Sequence, residues 1–71
     1  MYSIHLNHPD SGTTNFHFQA TEKEALAEAQ DIVAKRNKLG NKFKKVTPTY
    51  GWAHEWLCKE SGQCLFIKEL L

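Results

Sequence analysis

The sequence lacks any long apolar run, and none of its hydrophobic stretches approaches the ~20 residues that a membrane-spanning helix needs. The first residues also lack a basic segment followed by an apolar one, so no signal peptide is predicted. We therefore expect a cytoplasmic protein with no membrane partner. In that compartment its two cysteines are expected to be free thiols rather than a disulfide.

Catalytic and strong metal-binding motifs are also missing. His54, Cys58 and Cys64 have the spacing H-x3-C-x5-C, whereas zinc sites usually have four ligands and shorter cysteine spacings. Neither cysteine has an identifiable base and orienting group, as a nucleophile would require. We therefore expect no enzymatic activity, no cofactor and no metal.

What the chain does contain is one clear amphipathic helix in residues 21–40. Thr21 and Glu24 form a capping box at its start, and Gly40 can adopt the left-handed conformation that ends a helix. Apolar residues fall near one stripe, which predicts packing on one side only, against a sheet. The stripe consists of Ala25, Leu26, Ala29, Ile32, Val33 and Leu39.

The segment before the helix alternates apolar and polar residues, which predicts a hairpin of residues 2–7 and 15–19. Ile4 and Leu6 must then share a face with Phe16 and Phe18. Two registers satisfy this condition. One sets Leu6 opposite Phe16, which also sets His5 opposite His17; the other sets Ile4 opposite Phe16.

The segment after the helix predicts up to three more strands. The first starts at Phe43 and must be short, bulged or at a sheet edge, because Pro48 cannot donate to a ladder. Residues 52–58 and 64–70 form the other two, joined by a turn in which Gly62 has a positive φ. The chain of 71 residues is thus predicted to be one α+β domain, residues 1–71. Its predicted order is β-β-α-β-β-β, with an antiparallel sheet of four to five strands in two layers and one helix packed on one face.

The last hairpin is apolar on both faces, whereas a single helix can cover only one. Four answers remain open for the other face: a second chain, a symmetric copy, a folded-over loop, or a curled sheet that tucks the tryptophan rings around an edge. One alternating set of strand positions, or the positions next to it, contains Ala53, Leu57, Leu65 and Ile67. The other set contains Trp52, Trp56, Phe66 and Leu70.

Six of the nine lysines and arginines lie between residues 35 and 45, at the helix end, the turn and the next strand. A solvated helix end beside a lysine-rich edge strand explains them without any ligand. An acidic protein surface or nucleic-acid phosphates would also bind such a cluster. The candidate cations are Lys35, Arg36, Lys38, Lys42, Lys44 and Lys45.

Tyr50, Trp52 and Trp56 are candidate partner-binding residues, because aromatic side chains often anchor interfaces. At least one of them is expected to lie in the core. Between the tryptophans, a two-residue loop would set Glu55 opposite Lys68 as an ion pair.

Two stretches carry a resemblance to a known family. Residues 18–29, FQATEKEALAEA, resemble the strand-to-helix joint of small phage-encoded inhibitors of host machinery. Residues 52–63, WAHEWLCKESGQ, are similar to the late hairpin of anti-CRISPR proteins that act on type I-F surveillance complexes. The resemblance implies a protein of the host cytoplasm that binds a multisubunit nucleoprotein and blocks its access to DNA.

From these observations we expect a small non-enzymatic binding protein, an inhibitor of a host nucleoprotein complex. The alternative is a protein that binds nucleic acid directly through the Lys and Arg cluster. Homodimerisation through the apolar hairpin is compatible with either function.

Overall fold

The computed structural model describes residues 1–70, with side chains for all of them except residues 15–17. The predicted order of elements is confirmed, with one helix against a five-stranded sheet. The elements are β1 (Tyr2–His8), β2 (Gly12–Gln19), α1 (Glu22–Lys38), β3 (Phe43–Val46), β4 (His54–Cys58) and β5 (Gln63–Glu69).

Every strand pairing in the sheet is antiparallel, and the spatial order is β2-β1-β5-β4-β3. The last strand of the chain therefore lies beside the first, at the centre of the sheet. The edges are β2 and β3. As predicted, β3 is a short edge strand that ends before Pro48.

Helix α1 begins and ends where its local signals predict. The Glu24 backbone N–H donates to the Thr21 hydroxyl at 3.2 Å, which satisfies one of the free donors of the first turn. At the other end Gly40 has φ +98°, and the backbone N–H of Asn41 donates to the Arg36 carbonyl at 3.1 Å. Leu39 is the C-cap, and its side chain is 82% exposed. Leu39 therefore does not belong to the packing stripe, since the helix has already ended there.

The main core lies between α1 and the sheet face that it covers. Ala25 and Ala29 are fully buried, and their small side chains let the helix approach the sheet closely. Leu26, Ile32 and Val33 pack around them, partly buried. The sheet supplies the larger residues of this cluster: Ile4, Leu6, Phe43, Trp56, Cys58, Leu65 and Ile67.

The hairpin of β1 and β2 has an irregular register. From His5 to His8 its offset is that of the second prediction, which sets Ile4 opposite Phe16, but neither prediction anticipated the shift that follows toward Ser3. From His5 to His8 the pairing sets Leu6 opposite Thr14, whereas Ser3 lies opposite Phe18. The register therefore shifts by one residue between Ser3 and His5. The prediction that sets Leu6 opposite Phe16 is therefore wrong. His5 lies opposite Asn15, so the predicted pairing of His5 with His17 is wrong as well. The side chain of Phe16 lies outside the described side chains.

A consequence of this shift is that Phe18 shares a face with Ser3 and not with Ile4. The prediction that Phe18 lies on the core face is therefore wrong, and its side chain is 59% exposed. A one-residue slip moves every later side chain of a strand to the opposite face.

The hairpin of β4 and β5 also has a different register from the predicted one. Cys58 lies opposite Gln63, so the loop contains four residues, and Glu55 lies opposite Phe66 instead of Lys68. Trp56 lies opposite Leu65 on the helix side, whereas Phe66 lies on the other side. The prediction that Trp56 and Phe66 share a face is therefore wrong.

The second sheet face is covered by the connection between β3 and β4. Trp52 from this connection stacks on Phe66 of β5, with ring centroids 3.7 Å apart. Thr49 donates to Glu55 Oε1 through its backbone N–H at 2.9 Å and its hydroxyl at 3.2 Å. Of the four alternatives for this face, the folded-over loop is the one that the structure contains.

Candidate functional site

The lysines of β3 gather around one groove of about 440 Å³ at the edge of the sheet. Lys42, Lys44 and Lys45 line it together with Lys59 from the β4–β5 turn. We call these four lysines the basic edge. Val46 and Leu57 supply apolar lining, and Glu60 is the carboxylate of the groove.

The charge of the basic edge is only partly compensated. Lys42 Nζ lies 3.7 Å from Glu60 Oε1, and both side chains are about 70% exposed, so this pair contributes little stability. Lys45 Nζ lies 5.5 Å from the centroid of the Trp56 ring, within cation–π range. Among the described side chains, Lys44 and Lys59 have no carboxylate within ion-pair distance. The groove therefore presents excess positive charge to solvent.

Lys35, Arg36 and Lys38 belong to the last turn of α1 and do not line the groove. Lys35 pairs with Asp31 within the helix, at 3.0 Å. Two hydrogen bonds tie this helix end to β3, because the Asn37 side chain accepts from the Phe43 N–H at 2.9 Å and donates to the Phe43 carbonyl at 3.5 Å. The six predicted cations thus divide into a groove set and a helix-end set.

Lys59 was missed as a site residue because it lies 14 positions after Lys45 in the sequence. The pairing of Phe43 with Cys58 brings the two segments together. This pairing is a long-range contact that no local pattern specifies.

The three aromatic candidates lie in different environments. Trp56 is 4% exposed and lies in the main core, so its ring is not available to a partner; the expectation that one of the three is a core residue is confirmed. Trp52 is half-buried by its stacking on Phe66. Tyr50 is 76% exposed and meets Trp52 edge-on, with ring centroids 5.1 Å apart and planes inclined at 64°.

The apolar surplus predicted from the sequence is therefore smaller in the structure. Phe66 is buried and Leu70 is half-buried, so one chain with its own loop covers most of the second face. Exposed apolar sheet surface supplies little of a docking surface, and the basic edge becomes the main candidate.

Glu55 is the residue whose environment differs most from its prediction. Its side chain is only 5% exposed, and it accepts hydrogen bonds from Thr49 and from the Cys64 thiol, whose Sγ lies 3.0 Å from Oε2. Burial and the neighbouring Glu55 carboxylate raise the pKa of Cys64 to about 12. A polar residue within an apolar strand was the only sequence signal for this site.

His54, the other polar residue of that strand, lies on the helix side of the sheet. Its Nε2 is 3.0 Å from Glu22 Oε2 in the first turn of α1, so it links the helix start to β4. On the opposite face His5 stacks on Phe66 at 5.0 Å, and its Nε2 lies 2.7 Å from the Ser3 hydroxyl. Burial, with a smaller contribution from Lys68, lowers the pKa of His5.

The two cysteines are free and lie on opposite faces of the sheet, because Cys58 and Cys64 occupy adjacent, non-equivalent register positions. Hydrogen bonds from the Ser61 hydroxyl and from backbone N–H groups of the β4–β5 turn and Lys42 lower the pKa of Cys58. Among the residues with described side chains, no three His, Cys, Asp or Glu residues are grouped so that they could hold a metal ion. Nor does any helix within residues 1–70 have the length and apolar content to cross a membrane.

Comparisons of the chain with protein-family models, with curated proteins and with solved structures found no match.

Proposed function

We propose that this protein is a small non-enzymatic binding protein that docks through the basic edge on a nucleoprotein complex, such as a CRISPR surveillance complex, and blocks its access to nucleic acid. The observation that carries the proposal is the charge of Lys44 and Lys59 around a groove at the edge strand, since no described carboxylate lies within ion-pair distance of either lysine. An acidic protein patch or an RNA backbone in such a complex is complementary to this charge.

The groove distinguishes this proposal from a purely protective role of the lysines. Lysines on an edge strand prevent aggregation by repelling a second sheet edge, and that role requires neither a concavity nor apolar lining. Here Val46 and Leu57 line the groove beside the charged groups. A partner can therefore bury apolar surface and neutralise charge at the same site.

Direct nucleic-acid binding is the second candidate, because four lysines around one groove also suit phosphates. Single-stranded nucleic acid is usually held by aromatic side chains on which bases stack. The aromatic residues closest in sequence and register to these lysines are Phe43 and Trp56, and both are buried in the core. This arrangement favours a protein or ribonucleoprotein partner over free nucleic acid.

The test uses a purified type I-F surveillance complex, a labelled target duplex and a mobility-shift assay. We expect the protein to reduce the fraction of duplex bound, and the double variant Lys44→Glu with Lys59→Glu to require at least about tenfold more protein for the same effect. This pair is chosen because both lysines are exposed, so we expect the fold to be retained. Lys23→Glu with Lys68→Glu makes the same change of net charge elsewhere on the surface and is expected to act like the wild type.

The same duplex without the complex tests the second candidate. Binding that falls steeply with salt concentration, and that is lost in the Lys44 and Lys59 variant, would show that the protein binds nucleic acid directly. If a folded wild-type protein neither inhibits the complex nor binds the duplex, both functions are excluded for these partners.

A further inference from the structure

A second cavity, of about 330 Å³, lies between the β3–β4 connection and the sheet face opposite α1. It shares no lining residue with the groove of the basic edge. Three aromatic rings line it, those of Tyr50, Trp52 and Phe66, together with the carboxylate of Glu55. Asn7 and Thr13 add a polar wall, and their side chains are hydrogen-bonded to each other at 3.0 Å.

Glu55 places a carboxylate in this cavity that has no cationic partner among the described side chains. The carboxylate is nearly fully buried, and its partners are the Thr49 N–H and hydroxyl and the Cys64 thiol. None of the described lysine, arginine or histidine side chains pairs with it. A buried carboxylate without a cationic partner is costly, so a positively charged ligand in the cavity would gain a strong interaction.

The aromatic walls favour one kind of cation. Tyr50 is 76% exposed, and its described ring contact, with Trp52, is edge-on rather than stacked, so the Tyr50 ring can offer a face to a ligand. Ring faces attract cations, and aromatic-lined pockets that also carry negative charge suit alkylated ammonium groups in particular. The volume is sufficient for a small organic cation.

The hydrogen bonds of Glu55 further restrict which kind of cation the cavity can bind. A carboxylate has about four acceptor positions, and three donors already occupy Glu55. A guanidinium or a primary ammonium needs several acceptors, whereas a trimethylammonium group needs none. We infer that the cavity formed by Tyr50, Trp52, Phe66 and Glu55 is a binding site for a methylated ammonium group.

Choline is the probe, and its neutral isostere 3,3-dimethyl-1-butanol is the matched control. The two tryptophans allow the site to be observed by NMR, because the Trp52 indole N–H reports on the cavity and the Trp56 indole N–H reports on the core. We expect choline to shift the Trp52 signal saturably at millimolar concentration and to leave the Trp56 signal in place. The isostere should bind at least about fivefold more weakly, since it lacks the charge.

Two variants separate the roles of charge and aromatic wall. Glu55→Gln keeps an acceptor for Thr49 but removes the charge, so it should reduce the preference for choline over the isostere to the part that the aromatic rings supply. Tyr50→Ala removes an exposed ring that the fold does not need, and it should weaken choline binding while the spectrum of the core is unchanged.

Three results would overturn the inference. One is the absence of a saturable Trp52 shift at choline concentrations up to about 100 mM in a folded protein. The second is equal affinity for choline and its isostere. The third is tighter binding of arginine or lysine than of choline, which would show that the acceptor argument for Glu55 is wrong.

Discussion

Trp52 lies flat on Phe66, with the two ring planes only 12° apart and their centroids separated by 3.7 Å. Phe66 is itself stacked on His5 of the neighbouring strand. The three rings form a continuous layer across the sheet face opposite α1. A loop of the same chain thereby shields the face that the helix cannot reach.

This layer of rings explains why the last hairpin has apolar residues on both faces. Each strand of a sheet covered on both faces needs apolar residues in both parities, and here the second cover is residues 47–53. Self-association is therefore not required to bury that face. Homodimerisation remains a prediction that light scattering at several protein concentrations can test.

Replacement of Trp52 by alanine should remove the cover from Phe66. We expect the free energy of unfolding to fall by about 2 kcal/mol, because a half-buried aromatic residue contributes less than the 3–5 kcal/mol of a fully buried one. Urea denaturation monitored by circular dichroism measures this change. The exposed Phe66 should also make the variant self-associate more strongly than the wild type.

Tyr50→Ala is the control for this prediction, since Tyr50 lies in the same loop but is mostly exposed. Its effect on stability should be within about 0.5 kcal/mol. Equal destabilisation by the two variants would show that the stacking on Phe66 is not what holds the loop.

The helix was predictable from the sequence because its determinants are local. Thr21, Glu24 and Gly40 act within a few residues of the backbone groups that they satisfy. The position of Pro48 likewise limits β3 through a missing donor. Such signals need no knowledge of the rest of the fold.

The registers of the two hairpins and the loop that covers the second sheet face were not predictable, because they depend on contacts between residues that are distant in the sequence. The shift between Ser3 and His5 breaks the simple alternation on which the face of Phe18 was predicted. The four-residue loop of the last hairpin moves Glu55 away from Lys68. Once Glu55 faces the second side of the sheet, Thr49 can donate hydrogen bonds to it. A folded-over loop is one of the covers considered from the sequence, but no local pattern selects it over the others.

Thr49→Val should loosen this loop without changing its shape, because valine keeps the volume of threonine and loses only the hydroxyl donor to Glu55. A hydrogen bond to a charged group contributes about 1.5–3 kcal/mol, and the remaining backbone donor from Thr49 reduces the expected loss of stability to about 1 kcal/mol. Hydrogen exchange should accelerate at the amide of residue 49. Thr47→Val, at an exposed position of the same loop, is the control and should change neither quantity.

Protonation of His5 should destabilise the fold. Burial, followed by the charge of Lys68, lowers the pKa of His5 below its ordinary value of 6.5, so the folded state binds this proton more weakly than the unfolded state does. The stability from neutral His5 is therefore fully present above pH 6.5 and is lost as the pH falls through the lower folded pKa. An NMR titration of the His5 ring should give the lowered pKa directly.

Two variants test the origin of this pH dependence. His5→Gln should flatten the decrease in unfolding free energy below pH 6.5 relative to the wild type. Lys68→Met removes the smaller cause and should raise the His5 pKa only in part. A His5 pKa at or above its ordinary value would contradict the prediction.

The Cys64 thiol should be unreactive in the folded protein, because burial and Glu55 raise its pKa to about 12 and only the thiolate is nucleophilic. We expect negligible reaction with Ellman's reagent at pH 8 in buffer and reaction of both cysteines in urea, with Cys58→Ala used to isolate the Cys64 signal. Glu55→Gln should accelerate labelling of Cys64 by removing the second cause of the shift. The folded state retains the Cys64 proton at pH values at which the unfolded thiol, whose ordinary pKa is 9.0, has lost it. The free energy of unfolding should therefore decrease between pH 9 and about pH 12. Rapid labelling of Cys64 at pH 8 in the native protein would show that the thiol is not held against Glu55.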